Sequence, residues 1–190
     1  MPNINTFVQN LKGGGARANQ FQVQLTATPP GVSLGEEFTF LCRSAQIPAQ
    51  TVGEVAIPYR GRQVFVAGDR TFDAWTTTVF SDAAWEIRGA LEQWSNTMQN
   101  MGEYSYGALD PSAYYGQAKV TQMNRNDTVI NTYTLYQMWP QTIDPIDLAY
   151  DTNDAVMEFG VTWRYNYMHS EAGGGSVGGV RLTASFSSDF

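Results

Sequence analysis

Apolar and polar residues alternate along most of this chain, and one stretch switches to a helical period. Phe21, Val23, Leu25 and Ala27 are separated by Gln22, Gln24 and Thr26, the pattern of a half-buried strand. Pro29-Pro30-Gly31 ends it. Phe38, Phe40 and Cys42 alternate in FTFLCRS, which predicts a second strand paired with the first across 28–36. Pro48 closes that unit. Residues 52–67 read as a long hairpin. Val55, Ile57 and Tyr59 alternate on one arm, Val64 and Val66 on the other, with Arg60-Gly61-Arg62 at the tip. Ala67-Gly68-Asp69 predicts a turn, because glycine accepts positive φ and aspartate bonds its own backbone. Phe72 to Phe80, rich in Thr, Val and aromatics, follows as a strand.

The helical period begins directly after that strand. Ser81 is a suitable N-cap, and Asp82 and Glu86 lie near the positive end of the helix dipole. Ala84, Ile87, Leu91, Trp94 and Met98 recur as one stripe, which needs a sheet to pack on. Its polar side, with Arg88 and Glu92, is left for solvent or another subunit. Residues 99–117 form a Tyr- and Gly-rich loop. Residues 118–123 and 129–139 predict two strands turned at 124–127, the second stopped by Pro140. From Ala155 to Tyr167, apolar Met157, Phe159, Val161, Trp163 and Tyr165 face one way, and Glu158, Thr162, Arg164 and Asn166 the other. A Gly-rich tether at 170–179 leads to Val180, Leu182, Ala184 and Phe186, an alternating segment suited to docking on a sheet edge. At the other end, Phe7, Val8 and Leu11 predict a short helical turn before the hinge Gly13-Gly14-Gly15. The chain thus divides into an arm (1–19), a domain (20–168) and an extension (169–190).

Composition adds a reason to expect partners. Charged residues make up 15% of the 190, while there are ten Tyr, ten Phe and five Trp. So little charge with so many aromatics points to surface covered by other chains. The net charge is −7, with no basic patch to grip nucleic acid. The charge is uneven. Arg43, Arg60, Arg62 and Arg70 face two acids between 43 and 70, whereas 101–160 holds eight acids against Lys119 and Arg125. Copies of the chain can pair these segments.

Candidate chemistry is sparse. Cys42 is the only cysteine and His169 the only histidine, so the common zinc sets and Cys/His or Ser/His catalysis are excluded within one chain. No GK[ST] follows the glycine run, so it is not a phosphate loop. A calcium loop from Asp151 would need Gly and Glu where Val156 and Thr162 stand. Asp144, Asp147, Asp151 and Asp154 are turn formers rather than paired catalytic acids. No enzyme activity, metal or cofactor is expected. No signal peptide and no membrane span is present.

Four stretches resemble the tail tube proteins of contractile-tailed bacteriophages: FQVQL (21–25), FTFLCRSAQIPAQTV (38–52), VAGDRTFDAWTTTVFSDA (66–83) and MWPQTIDPIDLAYDTNDAVMEFGVTW (138–163). The resemblance implies a mainly β fold, two packed antiparallel sheets forming a β-sandwich or barrel flanked by an α-helix, with extended terminal arms. It implies hexameric rings stacked into a tube, assembled in the host cytoplasm and built into the virion. A contractile sheath surrounds such a tube. Baseplate and tail terminator proteins bound it, a tape measure protein fills its lumen, and DNA passes through without specific binding. Acidity suits a conduit that must not hold phosphate.

Within that frame Val55, Ile57, Tyr59, Arg60, Arg62 and Val64 are expected to form a stacking hairpin that reaches the adjacent ring. Gly68, Asp69, Arg70 and Asp73 would fix the turn that aims it. Val180, Leu182 and Phe186 would clamp a neighbouring subunit. Two other readings stay open: the inner tube of a bacterial contractile injection system, and a monomeric β-domain that binds a small ligand or glycan through its aromatics.

Overall fold

A computed structural model of the chain describes residues 3–11, 15–34, 36–100, 102, 106–151 and 155–172. In chain order the elements are α1 (Ile4–Asn10), β1 (Phe21–Ala27), α2 (Glu36–Leu41), β2 (Cys42–Ala45), β3 (Gln50–Tyr59), β4 (Arg62–Phe72), β5 (Trp75–Phe80), α3 (Glu86–Met98), β6 (Gly116–Met123), β7 (Val129–Ile143), β8 (Glu158–Arg164) and β9 (Tyr167–Ala172). All strand pairs are antiparallel. One leaf runs β1-β6-β7-β9 and the other β7-β8-β5-β2, so β7 belongs to both. β3 and β4 form a separate two-stranded sheet.

Period two decides which residues fill the space between the leaves. Val23, Leu25, Ala118, Val120 and Leu135 are buried from one leaf, and Trp75, Val79, Phe159, Val161 and Trp163 from the other. The helical stripe closes the same core with Ile87, Ala90, Leu91 and Trp94. Trp163 is its centre. It meets Phe38, Trp75 and Trp94 at centroid distances of 5.9, 6.3 and 5.6 Å and donates its indole N–H to Thr77 Oγ1. Thr77 is therefore a buried hydroxyl with a partner, as burial requires.

Several expectations change. Residues 36–41 are helical, not a strand, because Phe38 and Leu41 lie three apart and one helical face puts both on the core. β2 therefore begins at Cys42 and pairs with β5, and β1 pairs with β6 instead. Pro140 does not stop its strand. β7 bends at Gln137, where φ is 54°, and passes Pro140 at a bulge opposite β8. A proline is tolerated where the ladder is already interrupted. The strand expected over 155–167 is regular only over β8, with Met157 and Tyr167 left exposed at its flanks. Residues 170–172, assigned to the tether, belong to β9, which runs from Tyr167 to Ala172 on the edge of β7.

Ser81 does not cap the helix. Its N–H donates to Met157 O, which continues the β5–β8 ladder one residue past β5, and its hydroxyl oxygen is buried without a partner among the described residues. Asp82 caps instead, its carboxylate accepting from the N–H groups of Glu86 (3.0 Å) and Ile87 (3.4 Å). Those bonds hold its carboxyl below the usual carboxylate range. A carboxylate favoured when folded stabilises the protein above its unfolded pKa, and that stability is lost as pH falls through the folded one. Asp82→Ala is expected to lower stability by about 1 kcal/mol at neutral pH. Asp82→Asn should keep the cap but lose its share of the acid dependence below about pH 4, as read from denaturant melts at pH 7 and pH 3. Ala84 lies before the helix and is exposed, so the stripe starts at Ile87. Arg88 is not left for solvent either. It pairs with Glu92 (2.9 Å), donates to Asp144 O (2.6 Å) and lies over the Phe159 ring.

Candidate functional site

The β3–β4 hairpin stands apart from this core. Its 10- and 11-residue strands leave the domain between β2 and β5. Val55 pairs with Val66, Ile57 with Val64 and Tyr59 with Arg62, so five apolar side chains and one arginine share a face. Ala56, Pro58 and Phe65 lie on the reverse. Arg60 and Gly61 turn the chain with φ of 45° and 82°, the two positive values that a tight hairpin turn of this hand requires. Both faces are open: Ile57, Val64 and Phe65 are 49%, 51% and 58% exposed. An apolar, two-sided strand pair of this length is an aggregation hazard unless another chain covers it.

The base of the hairpin is fixed. Trp75 donates its indole N–H to Gln46 O (2.7 Å), Tyr165 donates its hydroxyl to Ala49 O (3.1 Å), and the Phe72 and Tyr165 rings meet at 5.7 Å. Burial pushes the Tyr165 phenol up, and the nearby Asp73 carboxylate adds to it. Gly68, Asp69 and Arg70 are not in a chain-reversing turn. They continue β4, and Gly68 and Asp69 together oppose Gly53, which makes a bulge. A Cβ on Gly68 would press on the Gly53 backbone at 3.3 Å, so two glycines let the strands pass closely there. The interruption between the strands falls later, at Asp73 and Ala74. Phe72 accordingly ends the hairpin rather than opening β5.

The electrostatics of the hairpin are simple. The Arg60 guanidinium lies over the Tyr59 ring at 5.5 Å, and among the described residues Arg60, Arg62 and Arg70 make no ion pair. Opposite in sign, Asp147 and Asp151 are exposed in the segment between β7 and β8. Asp154, Val180, Leu182 and Phe186 lie outside the described residues. Cys42 offers no nucleophile, since burial pushes its thiol up to about 12. Of the predicted residues, the structure brings Val55, Ile57, Tyr59, Arg62 and Val64 onto one surface. Phe65 and Pro58 were missed, though their own alternation marks a second apolar face.

A model of the phage tail tube protein family matches residues 16–171. The chain belongs to the phage tail tube protein family. This tail tube protein is similar to the tail tube protein gp19 of Enterobacteria phage T4, 33% identical over 156 residues that cover 82% of this chain and 91% of that one. It is also similar to the tail tube protein of Serratia phage KSP90, at 25% identity over 169 residues, 87% of this chain and 95% of that one. As a tail tube protein it is a structural component of the virion.

Among solved structures, the fold is shared with a chain of the anti-feeding prophage baseplate (TM-score 0.61, 12% identity, covering 83% of this chain and 95% of that one). It is shared too with a chain of the sheath–tube complex of an extracellular contractile injection system (TM-score 0.54, 12% identity, 87% and 97%). The two-leaf β architecture flanked by a helix is thus shared by this tail tube protein and by chains of those two assemblies.

Proposed function

We propose that this tail tube protein assembles into hexameric rings that stack through the β3–β4 hairpin, forming the conduit for DNA ejection inside a contractile sheath. The observation that carries the reading is the hairpin itself: an apolar sheet with a rigid base and both faces open. A heterologous contact of this kind closes into a ring or runs on into a filament, depending on its rotation. The phage relatives are matched over nine-tenths or more of their length, which favours a virion over an injection device. Sheath, baseplate and terminator proteins are the expected neighbours, with the tape measure protein in the lumen before ejection. The net charge of −7 suits a wall past which DNA slides. No catalytic step is assigned.

Electron microscopy of the purified protein tests this. Rings and tubes are expected; a monodisperse monomer at high concentration would reject it. Reversing the tip charges, Arg60→Glu with Arg62→Glu, should leave rings that do not stack, and tubes of normal length from that variant would reject the stacking role. Residues 180–186 are proposed to clamp a neighbour's sheet edge. Since β9 ends at Ala172, the matching truncation removes 173–190 and should leave tubes that fall apart at lower salt and temperature. Tubes as robust as those of the full chain would rule the clamp out.

A further inference from the structure

The hairpin has a counterpart at the far end of the leaf that carries it. β2, β5 and β8 run side by side. The hairpin leaves their Ala45, Trp75 and Arg164 end. At their other end a groove of about 1180 Å³ opens between Phe80 on β5 and the segment joining β7 to β8, lined by Ile146, Leu148, Tyr150, Val156 and Met157. Leu148 and Tyr150 are almost wholly exposed, at 82% and 107%. A groove this large exceeds the roughly 300–1,000 Å³ of a small-molecule site and suits a polypeptide. One wall is held in place: Arg43 pairs with Glu158 and lies over the Phe80 ring. Asp147 stands exposed in the other wall, and Asp151, next in the chain after the lining residue Tyr150, is exposed as well.

We infer that this groove receives the β3–β4 hairpin of a second copy of the chain. Three observations select that occupant. The hairpin is apolar and open, and the open groove offers Ile146, Leu148, Val156 and Met157 to it. The hairpin tip carries Arg60 and Arg62 without ion-pair partners among the described residues, and the groove carries the exposed acid Asp147, with Asp151 exposed next to its lining residue Tyr150. The two surfaces lie at opposite ends of one six-residue strand, β5, about 17 Å apart along it. A donor at one pole and an acceptor at the other join copies head to tail, so the contact propagates instead of closing as a two-fold dimer. Seated this way, Ile57 and Val64 cover Leu148 and Val156, while Arg60 and Arg62 meet Asp147 and Asp151. The inference rests on the stacking role proposed above and names its receiving surface.

Cysteine cross-linking in assembled tubes tests it. In a Cys42→Ala background, Ile57→Cys is paired in turn with Leu148→Cys, Tyr150→Cys and Val156→Cys, then oxidised and run without reductant. At least one pair is expected to give a ladder of multimers that neither single cysteine gives. In parallel, Asp147→Arg with Asp151→Arg should block stacking alone and restore it when combined with Arg60→Glu and Arg62→Glu. Monomers from all three pairs, with no rescue by the charge exchange, would place the acceptor elsewhere and overturn the inference while leaving hairpin stacking intact. A hairpin variant that stacks normally would instead sink the stacking role itself, whatever the groove does.

Discussion

Replacing Ile57 by Lys and Val64 by Glu is expected to abolish tube formation while the subunit keeps its fold. The two residues face each other across the hairpin. Opposite charges at a directly paired position support the ladder, so the hairpin itself survives. Neither residue belongs to the buried core, and exposed substitutions of this kind usually shift stability by about 0.5 kcal/mol or less. In an interface the same charges lose water without matched partners, at a cost of roughly 1–3 kcal/mol for each contact. Stacked rings repeat that contact in every subunit, so a small penalty becomes a complete loss of stacking. Sedimentation and negative-stain microscopy read the assembly, and a thermal melt of the dissociated protein reads the fold. An unchanged melt with no tubes is the expected pair of results. Tubes of ordinary length would remove the hairpin from the assembly.

Gly116→Ala is expected to have the largest effect on the fold itself. Gly116 opens β6 beside the indole of Trp94, and a Cβ there would collide with that ring and stand 2.8 Å from Ala27 O. Neither neighbour can give way easily. Trp94 is fully buried, donates to Tyr114 O (2.8 Å) and packs on Trp163, and Ala27 is in the ladder of β1. Overpacking a core typically costs 1–3 kcal/mol, and here backbone blocks one escape, so about 3 kcal/mol is expected. In a chain of this size that lowers the melting temperature by roughly 6–12 °C. Trp94→Leu opens a cavity on its own, but combined with Gly116→Ala it should cost less than the sum of the two single changes. Additive costs would show that the two sites do not share the space.

Strands with one buried face were readable because burial enforces period two. Val23 and Leu25, or Phe159, Val161 and Trp163, announce their strands for that reason. The stripe Ile87, Leu91 and Trp94 announced the helix in the same way. Failures came where distant contacts chose between two locally acceptable states. FTFL alternates as a strand does, yet Trp163 rewards the helix that buries Phe38 against it. Ser81 is as good a cap by composition as Asp82, but its N–H is already bound to Met157. Gly68-Asp69 has turn chemistry, and it serves a bulge that only the facing Gly53 reveals. The tip half of the hairpin was legible, since its alternation and tip glycine are local, whereas its extension to Phe72 past the bulge was not. The groove was not, because Arg43, Phe80, Leu148 and Met157 come together only through the topology.

The sharing of β7 has a mechanical consequence. The two leaves share β7 as one continuous peptide chain, as pages share a spine, and on the other side α2 runs straight into β2 and packs on β1, acting as a clasp between them. Opening the subunit at the spine would mean stretching covalent backbone; opening it at the clasp means peeling the side chains of α2 from β1. In a wall built of such subunits, Gln137 to Pro140 is therefore the direct covalent path from leaf to leaf.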